Sequence, residues 1–163
     1  MALRFYAPNE LPGQLATTIG GMPLVNMTNF GTPSAVTSTS GKMMGFGAAT
    51  TGNAVYTPQF STRLRVVWQG SAAFSGVAAP GTILTSYGTG TAPAYGAAVT
   101  GTQVGLGMST TIVAAVEATG LPFYTETFIT GLTIGTSYWF DLDVLTSTGS
   151  ITLTNVTLLI QEV

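Results

Sequence analysis

The sequence contains no cysteine and no histidine, and only ten of its 163 residues are charged, four basic and six acidic. Without cysteine there are no disulfides, thiolate nucleophiles or thiolate metal sites. Without histidine the commonest general base and metal ligand is missing. Charged residues make up 6 % of the chain, against about 25 % in an ordinary globular domain. The net charge of −2 gives little electrostatic steering. Four cations cannot supply the counterion release on which phosphate neutralisation depends, so nucleic-acid binding of that kind is excluded. No run of 18 apolar residues occurs despite a mean hydropathy of +0.44, because Thr, Ser and Gly interrupt each one, and no membrane partner is expected. Met1 to Gly13 carries Arg4, Glu10 and two prolines where a signal peptide would need its apolar segment, so synthesis in the cytoplasm without the usual export is expected.

What is present is β-forming. Aromatics are 10 % of the chain, Val, Ile and Thr abound, and Gly and β-branched residues interrupt any helical spacing. In Ser61 to Trp68, Leu64, Val66 and Trp68 share one face and Arg63, Arg65 and Val67 the other. In Thr136 to Val144, Tyr138, Phe140, Leu142 and Val144 face away from Ser137, Trp139, Asp141 and Asp143. Ile151 and Leu153 set one phase of the last segment, and Val156, Leu158 and Ile160 set the opposite one. A strand keeps both sets inside only with an inserted residue, which predicts a β-bulge or break near Thr154 and Asn155. Further strands are expected at Gly70 to Phe74, Thr82 to Tyr87, Thr111 to Glu117 and Phe123 to Thr130. Turn clusters at Ala79 to Gly81, Gly88 to Pro93, Gly105 to Gly107 and Gly120 to Pro122 are expected between strands. The fold class is all-β, an antiparallel β-sandwich with a jelly roll as leading topology. Residues 1–60, broken by five prolines, are expected to form an extended N-terminal arm or attachment segment before a sandwich at 61–163. Leu3, Phe5, Tyr6 and Phe30 are among the arm's apolar anchors. A pair of N-terminal strands within the same domain is the alternative.

Two carboxylates two residues apart on one strand, Asp141 and Asp143, suit neither a calcium site, which takes six to eight oxygens from several segments, nor a glycosidase pair, which must flank the sugar. They are expected on a solvent-facing or ion-paired strand face. Arg63 and Arg65 have the same spacing, and the two pairs are expected to meet within one subunit or between subunits. Trp139 beside the aspartates is expected to face outward into a subunit or capsid contact, with sugar stacking as the lesser reading. Burial under its own domain is the alternative. Gly41-Lys42 and Gly101 to Gly107 lack the spacing of phosphate loops. A Ser or Thr nucleophile would lack its usual base, so neither enzymatic activity nor a cofactor or metal is expected.

The stretches Tyr87-Gly-Thr-Gly-Thr-Ala-Pro-Ala-Tyr95 through Gly105 and Phe128-Ile-Thr-Gly-Leu-Thr-Ile-Gly-Thr-Ser-Tyr-Trp-Phe140 through Val144 resemble C-terminal β-sandwich domains of tailed-bacteriophage virion surface proteins. Such domains occur in tail-fibre, head-fibre and capsid-decoration proteins. Asn155 to Val163 resembles the closing strand of such a domain, and the resemblance covers residues 61–163. It implies a sandwich on a virion and a homotrimer. Low charge points the same way, since sheet edges without charged protection are best covered by neighbouring copies. Lacking shaft repeats or heptads, the chain is expected to be a capsid decoration (cement) protein bound to the major capsid protein at the head surface. A short tail or head fibre, or a receptor-binding tip contacting host glycan, is the alternative. A free carbohydrate-binding module is a third reading.

Overall fold

The computed structural model describes residues 18–19, 22–27, 35–37, 39–48, 54–75, 80–111, 118–146 and 148–163. In chain order the strands are β1 (Thr18–Ile19), β2 (Met22–Met27), β3 (Lys42–Met43), β4 (Val55–Tyr56) and β5 (Leu64–Ser75). They continue with β6 (Pro80–Gly88), β7 (Thr102–Thr111), β8 (Ala118–Ile129), β9 (Tyr138–Thr146) and β10 (Ser150–Glu162).

Alternation builds these strands. On β5, Leu64, Val66, Trp68, Ala72 and Phe74 are buried; on β9, Tyr138, Phe140, Leu142 and Val144 are. They meet between two antiparallel sheets, one ordered β1-β2-β10-β5-β8, the other β3-β9-β6-β7 with β4 also on β9. Trp68 and Phe140 are fully buried in this core, and the Phe46 ring lies 5.6 Å from that of Trp68. From β2 onward the chain crosses between the sheets at each step except β3 to β4 and the β6–β7 hairpin. With β3 and β4 taken as two pieces of one edge strand along β9, the orders 2-10-5-8 and 3/4-9-6-7 are those of a double-Greek-key jelly roll. The sandwich expected from sequence is the observed one.

Bulges replace several expected breaks. Thr154 pairs with Ser71 and Thr157 with Gln69, so Asn155 and Val156 stand opposite Gly70 alone. Val156 stays inside, Asn155 turns outward with φ of 52°, and the change of phase seen in the sequence is thereby absorbed. The expected turns at Gly105 to Gly107 and Gly120 to Pro122 lie instead within β7 and β8. Residues 105–107 oppose Leu84, and residues 119–120 oppose Ala73. Gly105 (φ 84°) and Gly120 (φ 75°) supply the left-handed backbone of these bulges, a conformation that serves a bulge as readily as a turn.

The boundary at residue 60 is corrected for the described residues. β2 pairs with β10 through Leu158↔Met27 to Gln161↔Leu24, and Val36 exchanges backbone hydrogen bonds of 2.8 and 2.9 Å with Ile151. Met44, Phe46, Ala54 and Tyr56 contribute to the core. These segments are part of the sandwich rather than an arm laid on another surface.

Candidate contact surface

Asp141 sits where β3 and β4 part company along β9. Met44 N–H donates to the Leu142 carbonyl at 3.0 Å, and Phe140 N–H to the Ala54 carbonyl at 2.8 Å. Between them the ladder is interrupted, and the Asp141 carboxylate takes its place. Oδ2 accepts the Gly45 N–H at 2.8 Å, and Oδ1 accepts those of Phe46 and Leu142 at 3.0 and 2.8 Å. Burial pushes this carboxyl up to about 7 in spite of the three donors, and the Asp143 charge adds to the rise. Asp143 is 2 % exposed, accepts Gln103 Nε2 on Oδ2 at 2.6 Å, and is likewise pushed up by burial. Trp139 is 4 % exposed and donates through Nε1 to the Thr89 carbonyl at 3.2 Å. Gly88 and Gly101 lie against its ring, where a Cβ at either would collide with it.

The expected outer face of β9 is therefore covered by residues 41–48 and 89–103 of the same chain. Trp139, Asp141 and Asp143 are corrected from outward contact residues to buried fasteners. Their expected pairing with Arg63 and Arg65 is overturned as well, since the arginines lie on and just before β5 in the other sheet and both carboxylates are buried under residues 41–48 and 89–103.

Arg63 and Arg65 do lie outside, as expected. Arg65 Nε donates to Glu126 Oε1 at 2.7 Å, and the Tyr124 hydroxyl donates to Glu126 Oε2 at 2.6 Å. Together they hold the Glu126 carboxyl down at about 2. The Arg63 guanidinium lies 4.7 Å from the centre of the Phe128 ring. Leu3, Phe5, Tyr6 and Phe30 lie outside the described residues.

Loops 57–63 and 130–137 form one end of the sandwich, joined by Leu132 N–H to the Thr62 carbonyl (3.0 Å) and Gly135 N–H to the Pro58 carbonyl (2.8 Å). Glu162 braces this end from within. Fully buried, its carboxylate accepts the Tyr56 hydroxyl at 2.6 Å and the N–H groups of Gln59, Phe60 and Ser61 at 2.6 to 2.7 Å. Burial alone would raise this carboxyl, but the four donors outweigh it and hold it below its ordinary value. On the outside, Phe60 is 71 % exposed, and Phe128 and Ile134 are each 48 % exposed. Three large apolar side chains are thus exposed on or beside a braced pair of loops.

Glu162 as a brace and the exposed Phe60, Phe128 and Ile134 were not singled out from sequence. Two of them had a signal: the phase set by Val156, Leu158 and Ile160 continues to Glu162 and places a carboxylate inside, and alternation along β8 places Phe128 outside.

No family model matches the sequence, and no curated protein does. Solved structures that align with most of the chain include these two. One is of the infectious bursal disease virus Gx strain, with 13 % identity, a TM-score of 0.44, and coverage of 86 % of this chain and 33 % of that one. The other is dimeric latent PorU from Porphyromonas gingivalis, with 12 % identity, a TM-score of 0.43, and coverage of 85 % of this chain and 12 % of that one. The chain thus spans about a third and an eighth of the lengths it is similar to, and likenesses of this degree carry no functional inference.

Proposed function

We propose that the protein is a non-enzymatic structural component of a bacteriophage virion, a capsid decoration protein that docks as a homotrimer on the major capsid protein. One observation carries the reading. Phe60, Phe128 and Ile134 are exposed at a single end of the jelly roll, where Arg63 stacks on Phe128 and Arg65 is paired with Glu126, so this end offers apolar area whose neighbouring cations already have partners. A chain with ten charges has few side chains to steer it to a partner, and neutral close packing remains as its means of attachment. The jelly-roll order is shared by capsid domains, lectins and cupins, so it admits this role without selecting it.

Mass spectrometry of purified particles tests the proposal. Hundreds of copies per particle are expected for a decoration protein; a handful would move it to the tail, and absence from particles would end the virion reading. Phe60→Ser combined with Ile134→Ser is expected to abolish binding to undecorated capsids. Full binding by that variant would show that this end is not the docking surface.

A further inference from the structure

The bulge of β10 opens a cleft on the outer face of the β10-β5-β8 sheet. Gln69, Ser71, Pro122, Tyr124, Asn155 and Thr157 line it, and it is a shallow cleft of about 560 Å³ open to solvent. We propose that this cleft binds a neutral saccharide. The proposal rests on the lining of the cleft and holds whether or not the protein decorates a capsid.

Three features point to that ligand. The first is an aromatic platform. Tyr124 is 54 % exposed, unusual for so large a ring on a sheet face, and its hydroxyl is tied to Glu126, itself held by Arg65. The ring is thereby fixed in position before any ligand arrives, and a fixed aromatic face suits the C–H face of a pyranose at little entropic cost.

The second is the polar complement. Two amides, Gln69 and Asn155, and two hydroxyls, Ser71 and Thr157, surround the ring, and none of the lining residues is charged. Each of these groups both donates and accepts, as sugar hydroxyls do. A phosphate or carboxylate ligand would find no cation among them, and a purely apolar one would leave the amides unpaired.

The third is backbone strain at the site. Asn155, at φ 52°, is the one described non-glycine residue in the left-handed region, and the bulge turns it out beside the cleft. The bulge could have been closed with glycine, as in β7 and β8, yet here it carries an amide. A non-glycine residue kept in the left-handed region at the edge of a cleft is a reason to look for a ligand there. Gly70 completes the geometry, because a Cβ at that position would meet the Phe123 ring at 2.8 Å and the Thr154 carbonyl at 3.0 Å.

The test uses the full chain against gluco-, galacto- and N-acetylglucosamine-oligosaccharides, with sialyllactose and inorganic phosphate as charged probes, read by saturation-transfer NMR and titration. At least one neutral oligosaccharide is expected to bind. Tyr124→Ala and Asn155→Gly are each expected to weaken that binding about tenfold or more, a loss of about 1.4 kcal/mol. The glycine variant keeps the left-handed backbone available, so its melting temperature stays close to that of the parent. Phe60→Ser is expected to leave saccharide binding unchanged, which separates this site from the docking end. Binding of the charged probes alone, of none of the panel, or of a neutral sugar with equal strength by both cleft variants would overturn the proposal.

Discussion

Tyr56 donates its hydroxyl hydrogen bond to Glu162 Oε1 at 2.6 Å across 106 positions of sequence, and both residues are buried. The contact joins β4 at the rim of one sheet to the end of β10 in the other. Three backbone N–H groups of loop 59–61 converge on the same carboxylate. A single acidic side chain therefore fastens the two sheets together and shapes the end of the sandwich that carries Phe60.

Glu162→Ala leaves four donors without their acceptor at the cost of one side chain. A loss of about 3 kcal/mol is expected, with a fall in melting temperature of about 10 °C. Because the folded carboxyl lies below its unfolded value, its contribution is present above about pH 4.3 and is lost as pH falls through the folded value. Chemical denaturation of parent and variant at pH 7 and pH 3 checks this: the gap between them should narrow in acid.

Asp141 acts in the opposite sense. Its folded carboxyl is raised to about 7, so the native state keeps a proton that the unfolded chain gives up near pH 4. Its contribution is complete below about pH 4, declines as pH rises, and is gone above about 7. Urea midpoints measured between pH 4 and 8 should show this fall, and Asp141→Asn should flatten it while lowering stability throughout, since the amide presents an N–H to one of the three backbone donors. An unchanged slope in the variant would assign the pH dependence to another group.

Two backbone positions should separate conformational strain from crowding. At Asn155 a glycine substitution is expected to fall within about 0.5 kcal/mol of the parent, whereas Asn155→Val should cost about 1–2 kcal/mol because a β-branched residue resists the left-handed region. At Gly101 (φ 79°) strain and collision coincide, since a new Cβ would strike the Trp139 ring and the Tyr87 carbonyl oxygen. Gly101→Ala is accordingly expected to cost more than Asn155→Val, and calorimetry of the two variants ranks them.

At the proposed docking end, Phe60→Ser removes a mostly exposed side chain and should change stability by no more than about 0.5 kcal/mol, whereas the half-buried Ile134→Ser should cost about 1 kcal/mol. Any loss of capsid binding by these variants then reports on contact rather than on folding, which thermal melts run alongside will show.

The inward faces of β5 and β9 and the bulge of β10 were legible because alternation and its reversal are local properties of a strand. Gly105 and Gly120 were misread as turns because a left-handed glycine looks the same in sequence whether the chain reverses there or only kinks. Asp141 and Trp139 were placed correctly on the face away from the core, but alternation does not tell what covers that face. Its cover comes from residues 41–48 and 89–103, which have no periodicity and are held by backbone pairings such as Gly96 N–H to the Met43 carbonyl at 2.9 Å. The proposed docking end was hidden for the same reason, since Phe60 and Ile134 are 74 positions apart and it is tertiary hydrogen bonds that bring their loops together.

The place of β10 between β2 and β5 bears on the order of events during synthesis. The central strand of the first sheet is translated after both of its neighbours, so until Ser150–Glu162 leaves the ribosome β2 and β5 have no partner between them and loop 59–61 lacks its Glu162 anchor. Closure of the jelly roll therefore waits for β10, and until then the emerging chain carries the open edges of β2 and β5.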